Sequence, residues 1–462
     1  MAALANGRAE SAIPALQLAL ARYEGSYSEA HPRRAMARCV TGAALVAAGR
    51  GADAAPLLVP ACDIHARWGL ADPTVVAWGL RAVRASMSHL EEERRHGSTS
   101  PSNHGHPPSH HLLALPLLAL TACGGDATAP GSGSTNTPCN PTPAVRNVPG
   151  SYSRTVTIGG VTREFIVYVG NSVGATSAAP VVFMFHGSGQ SGPQFYNISR
   201  WKETADAHGL IAVFPSALTY CYKEDLNADG DMSDAGETTV ETKWTSGRLN
   251  TAERPLCTAA EVATRPSAER ALLAHPFQED LAFVDSMLVA LQAGFVVNAK
   301  RIHGTGFSNG AQFVTRLVAE RSSVFASLHT HGGATEIVST AARAISVNGS
   351  LGNMDQHIQE AYDIPALPMT QDMFTRYPGV KLKYVLPMLS MLRLQDVSTF
   401  QQSTMNGKLV SQWTWRTSAA GASNTFTFSL VGDNDHAYPN GILHPIVIAE
   451  PLWQFFSTQL LP

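Results

Sequence analysis

Ser308 stands between two glycines in Gly306-Phe307-Ser308-Asn309-Gly310, the setting a nucleophilic serine requires. Where a strand turns sharply into a helix, the residue at the bend is held in strained backbone that only small neighbours tolerate, and its hydroxyl is lifted clear of the sheet. Residues 300–305 suit a buried strand and residues 311–319 a helix, so the pattern lies where such a turn forms. Acyl transfer from a serine also needs a base for its proton, a carboxylate to orient that base, and N–H donors for the oxyanion. His436, in the polar stretch behind the apolar run 425–431, is the base chosen among His303, His329, His331, His357 and His444. His329 and His331, on a strand close behind the elbow helix, are read as lining the pocket. The carboxylate belongs after a strand between Ser308 and His436; residues 344–350 read as strand and turn, and Asp355 follows them, with Asp363 and Asp372 as alternatives. The expected oxyanion donors are the backbone N–H groups of Ser188, in His186-Gly187-Ser188-Gly189, and of Asn309.

The elements that must position these residues alternate strand and helix. Residues 152–158 and 161–169 flank Gly159-Gly160 as a hairpin. The continuous apolar runs 181–185 and 210–214 fit strands covered on both faces, and a helix at 277–291 precedes the nucleophile strand. The order serine, acid, histidine, with an oxyanion loop after an early strand, is that of an α/β-hydrolase fold with a mostly parallel central sheet. Residues 365–402 read as a lid, whose methionines, with Trp413 and Trp415 on the next strand, would grip an apolar acyl group or simply pack the core.

The chain resembles the polyhydroxybutyrate depolymerase and feruloyl esterase group of secreted α/β-hydrolases. The resemblance rests on Val182-Phe183-Met184-Phe185-His186-Gly187, on Trp201 with the 205–215 stretch, on Glu279-Asp280-Leu281-Ala282-Phe283-Val284, on the Ser308 motif, and on His436-Ala437-Tyr438-Pro439. It covers the catalytic domain almost from end to end. It implies a serine carboxylic-ester hydrolase acting on polymeric or aromatic esters, with Ser308 as nucleophile and His436 as base and no cofactor for catalysis. Substrate contacts are expected from His186, Gly187, Trp201, Trp244 and Tyr438. At the acid the chain departs from the group, which places Asp two or three residues after a Gly-Ser/Thr turn, where Leu351 and Gly352 stand here. Asp355 therefore requires a longer loop. Alternative readings are a serine peptidase or acyltransferase on the same fold, or a calcium-stabilised surface binding protein whose triad has decayed.

Asp225, Asn227, Asp229 and Asp231 place oxygen ligands on alternate residues with Gly230 among them, like the first half of a calcium loop, and Glu237 would close it one place late. The loop is read as a structural Ca²⁺ site. Cys221 and Cys257 bracket this polar insertion and would form a disulfide in an oxidising compartment, two free thiols being the alternative. The six cysteines show no metal-ligand spacing.

Over the whole 462 residues, 44% hydrophobic and 15% charged content describes a globular chain with a large core, and a net charge of −3 with pI near 6.6 gives no basic field for nucleic acid. Residues 1–93 show helical periodicity with a tetratricopeptide-like turn, residues 94–147 form a linker, and residues 148–462 form the catalytic domain. Within the linker, residues 112–123 have the length of a signal-peptide core ending in Leu120-Thr121-Ala122-Cys123, which resembles a lipobox, followed by a Gly/Ser/Thr/Pro tether. Export as a secreted or cell-envelope lipoprotein, attached to a membrane through a lipidated Cys123, is the expectation. Met87, with Arg94 and Arg95 behind it, would then open the protein; a genuine helical region at 1–93 would instead make the chain cytoplasmic.

Overall fold

The computed structural model describes residues 146–462, apart from 226–229, 235, 336–338, 362–363, 365–366 and 418–423, together with scattered positions between 10 and 57. Among the described residues twelve strands run β1 (Gly150–Ile158), β2 (Val161–Val169), β3 (Ala179–Phe185), β4 (Ile211–Pro215), β5 (Leu218–Lys223), β6 (Thr238–Lys243), β7 (Val297–Phe307), β8 (Ser327–His331), β9 (Ser346–Gly352), β10 (Ser398–Met405), β11 (Lys408–Arg416) and β12 (Thr425–Val431). The principal helices are α1 (Gly192–Ile198), α2 (Trp201–His208), α3 (Asp280–Gly294), α4 (Asn309–Glu320), α5 (Leu386–Leu392) and α6 (Ala449–Ser457).

Ten strands form one sheet in the order β1-β2-β4-β3-β7-β8-β9-β12-β11-β10. From β4 to β12 every neighbouring pair is parallel; the antiparallel pairs lie at the two edges. Such a centre must be covered on both faces, and β3 shows how the sequence meets that demand. Val181, Phe183 and Phe185 point into the cluster with Phe283 of α3, Phe313 of α4 and Met388 of α5. Val182 and Met184 point the other way, against Phe195 of α1, Trp201 of α2 and Trp453 of α6. This three-layer arrangement is the α/β-hydrolase fold. The chain leaves β3 to one side for β4 and returns on the other side for β7, so the carboxyl ends of β3 and β7 form the crevice where open parallel sheets place their sites.

The β1–β2 hairpin forms as the sequence indicates, with Gly159 and Gly160 at φ 53° and 82° supplying the positive angles of its tight turn. Two readings change. The residues taken as a lid form a layer of the fold: Met388, Leu389, Met391 and Leu392 are buried in the same cluster as Trp413, Trp415 and Phe428. A crossover between parallel strands needs a helix lying on the sheet, and α5 supplies it between β9 and β12. The second change concerns Gly349-Ser350, read as a turn but lying inside β9, where Gly349 and Ser350 pair with Phe428 and Ser429 of β12. A Cβ at Gly349 would stand 3.1 Å from the Phe428 ring, so the glycine makes room for an aromatic neighbour in a continuous strand.

The separate β5–β6 hairpin belongs to the polar insertion, and a disulfide ties Cys221 to Cys257 with Cα atoms 5.3 Å apart. The lipobox-like segment and Cys123 lie outside the described residues.

Candidate active site

Ser308 links β7 to α4 with φ 52° and ψ −121°, a conformation rare for a residue with a side chain. The surrounding glycines are demanded by close backbone approach. A Cβ at Gly306 would lie 2.3 Å from Gly310 O, one at Gly310 would lie 2.3 Å from Phe185 O, and one at Gly333 would lie 2.3 Å from Ser308 O. The Ser308 N–H donates to His331 O at the end of β8 (2.8 Å), so the bend is anchored to the neighbouring strand.

Three side chains converge here from the carboxyl ends of different strands. Ser308 Oγ lies 2.9 Å from His436 Nε2, and His436 Nδ1 lies 2.8 Å from Asp355 Oδ2. With the carboxylate accepting from Nδ1–H, Nε2 is left as the acceptor for the serine proton. Asp355 is 1% exposed, and its second oxygen accepts from Ile358 N–H. Because β9 runs on to Gly352, only Asn353 and Met354 separate the strand from the acid, and the longer loop expected from the sequence is not needed. Acid and base loops are stitched together: Met354 N–H donates to Asn434 O (2.8 Å), and Asp433 N–H donates to Asn353 Oδ1 (2.7 Å).

Of the two expected oxyanion donors, Ser188 lines the cavity and Asn309 directly follows the nucleophile. Ser188 lines the cavity beside Ser308, and among the described residues no protein acceptor takes its N–H, whereas Gly187 N–H donates to Gln190 Oε1 and Gly189 N–H to Thr242 O, each at 2.9 Å. Asn309 opens α4, where first-turn N–H groups have no acceptor within the helix. A cavity of about 980 Å³ opens over Ser308. Its wall is largely polar, with Gln190, Glu241, Arg248, Arg254, Gln312 and Lys383 contributing and Phe307, Ile358 and Tyr384 supplying apolar area.

Most of the expected substrate contacts lie elsewhere. Gly187 borders the cavity, but His186, Trp201, Trp244 and Tyr438 are fully buried in the core. Trp201 donates to Tyr438 Oη (3.1 Å) and stacks on Phe456; Trp244 donates to His186 O (2.9 Å). His186 holds the entry to β5 by accepting from Ala217 N–H (3.1 Å), and burial lowers its pKa to about 4, leaving it neutral. Large aromatic surface is worth more inside the core than at a polar cleft. His329 and His331 likewise lie under the site rather than in its wall: both contact Ser350 Oγ, at 3.0 and 2.7 Å, and His331 Nε2 lies 3.0 Å from Ala437 O beside the base. Burial lowers the His331 pKa to about 3.

Of the calcium-loop residues, Asn227 and Asp229 lie outside the described residues. Asp225 accepts from Gly230 N–H and Asp231 from Ser233 N–H, each at 2.9 Å, while Glu237 is buried. Among the described residues no group of three or more His, Cys, Asp or Glu side chains is arranged to hold a metal ion. His357, weighed in the sequence only as a competing base, lines the cavity, and its ring centroid lies 4.5 Å from that of His436. Its position two residues after Asp355 was the available signal.

No family model and no curated protein sequence matches the chain. Among solved structures, 307 chains match it. They include an acetyl xylan esterase from Aspergillus awamori (12% identity, 66% of this chain and 99% of that one, TM-score 0.39). An S-formylglutathione hydrolase from Agrobacterium tumefaciens shares 12% identity over 69% of this chain and 99% of its own, with a TM-score of 0.37. A ferulic acid esterase from Anaeromyces mucronatus shares 12% over 69% and 93%, with a TM-score of 0.35. Likenesses of this extent say nothing about substrate, and the architecture stands on the strand order itself.

Proposed function

We propose that the protein is a serine carboxylic-ester hydrolase. The observation that carries this reading is the unbroken hydrogen-bonded chain Ser308–His436–Asp355 at a cavity that Ser188 also lines, with Asn309 the next residue after the nucleophile. His436 Nε2 takes the proton as Ser308 Oγ bonds to the ester carbonyl carbon, and the carbonyl electrons move onto an oxyanion facing the two N–H groups. Collapse of that intermediate breaks the bond to the leaving alkoxide, which receives the proton from His436. Water, deprotonated by the same imidazole, then attacks the acyl-enzyme and releases the acid and free Ser308. The reading of a decayed triad rested on a displaced acid, and Asp355 stands in hydrogen-bonding position.

The polar cavity wall favours esters whose acyl or alcohol portion carries hydrogen-bonding groups, as the repeating carbonyls of a polyester or the hydroxylated ring of an aromatic ester do, over a long fatty acyl chain. A fluorophosphonate should label Ser308, identified by peptide mapping. Ser308→Ala should lose both the label and hydrolysis of short p-nitrophenyl esters. Unlabelled Ser308 together with unchanged hydrolysis by Ser308→Ala would overturn the esterase reading.

A further inference from the structure

A short segment within the disulfide-closed insertion, just after β6, touches both sides of the oxyanion site. Thr242 O accepts from Gly189 N–H at 2.9 Å, next to Ser188. Two residues on, Trp244 N–H donates to Asn309 Oδ1 (2.6 Å), Asn309 Nδ2 donates to Trp244 O (3.3 Å), and the Trp244 indole donates to His186 O (2.9 Å). Between them Lys243 is buried, its Nζ 3.5 Å from Ser188 Oγ and 3.3 Å from Tyr222 Oη, with Glu241 Oε2 at 3.8 Å. The far end is tied just as closely. Thr245 N–H and Oγ1 both donate to Asp280 Oδ2, and Asp280 is held by the fully buried Arg163.

Two oxyanion donors on separate loops must be held to within a fraction of an ångström of one point to act together. One segment bonded to both loops meets that requirement. Resting on the serine-hydrolase reading, we propose that Lys243 is a positioning residue for acyl transfer: its ammonium holds Ser188 while its backbone neighbours hold Gly189 and Asn309. The inserted hairpin is thereby part of the catalytic apparatus.

Steady-state kinetics of the full chain on a p-nitrophenyl ester test this. Lys243→Met should lower kcat about tenfold, less than outright loss of an oxyanion donor, with KM within about twofold of the parent value. Its Ki for a trifluoromethyl ketone, whose adduct with Ser308 carries the oxyanion, should rise in step with the loss in kcat. Lys243→Arg should recover most of the rate. Tyr222→Phe, which removes one partner of the ammonium and keeps the ring, should lower kcat by a smaller factor and carries the test if Lys243→Met does not fold. Parent-like kcat in Lys243→Met, or in Tyr222→Phe where that variant carries the test, would overturn the proposal, as would a loss confined to KM. Ser308→Ala in the same series separates the two ideas, because full activity there sinks the esterase reading itself.

Discussion

Asp355 is the residue whose role depends most on its surroundings. Its carboxylate is 1% exposed, accepts from His436 Nδ1–H and from Ile358 N–H, and so fixes both the tautomer and the direction of the imidazole. Asp355→Asn keeps the volume but presents an amide that can hold the wrong tautomer, so kcat should fall by about 10⁴-fold with little change in KM. Single-turnover measurement of acylation checks this, and a loss below tenfold would remove Asp355 from the triad. The alternatives weighed against it fare differently. Asp363 lies outside the described residues, and Asp372 is engaged with Arg376 and Thr370. Along the sequence the three aspartates look alike, because an acid is chosen by the strand end from which it projects.

At the scale of elements, the β5–β6 insertion does more than wall the cavity. Its second strand runs into the Thr242–Thr245 contacts, and Cys221 on its first strand is bonded to Cys257 at a separation of 36 residues. Closing a loop of that length is worth roughly 3 to 4 kcal/mol in the chain-entropy model. Replacing both cysteines by serine should therefore loosen the hairpin before the main sheet. Hydrogen exchange should show protection lost in β5 and β6 and retained in β3 and β7, with a parallel fall in kcat. Unchanged exchange in β6 would show that the hairpin is held without the bridge. The insertion was visible as a polar stretch bracketed by Cys221 and Cys257, but its β5–β6 hairpin and its attachment to the loops around Ser188 and Asn309 were not. Those bonds are made by backbone atoms of Thr242 and Trp244, and a main-chain donor or acceptor leaves no mark in residue type.

On the scale of the whole molecule, the sheet buries several imidazoles without charge. Burial lowers His186 to about 4 and both His303 and His331 to about 3, from an ordinary value of 6.5. A histidine whose folded pKa is depressed leaves the unfolded chain binding more protons, so stability is greatest above pH 6.5 and falls as pH drops towards the folded values. Between pH 6.5 and pH 5 each of these three should remove about 1.5 kcal/mol, an order-of-magnitude figure from the spacing of the two pKa values. Urea unfolding at pH 8, 6.5 and 5 measures it, and a flat profile would show that these imidazoles are not held neutral. The same burial explains which parts of the site were legible in advance. The Ser308 elbow, the serine–acid–histidine order and the Gly159-Gly160 hairpin follow from local constraints: tight backbone at a bend, period-two strands, and glycine where φ must be positive. Which aspartate meets His436, and which aromatics face substrate, depended on how far β9 extends and on which face of the sheet each side chain enters. Trp201, Trp244 and Tyr438 carry the chemistry of binding residues, yet the packing of α2, α4 and α6 encloses them. The sequence by itself determined which serine stands in a nucleophile's setting and the order of its proposed partners, because those are written in short stretches of chain. Only the tertiary structure set Asp355 against His436, enclosed the aromatics expected to touch substrate and revealed the Thr242–Thr245 strut, because each of these is a contact between segments far apart in sequence, decided by register and burial.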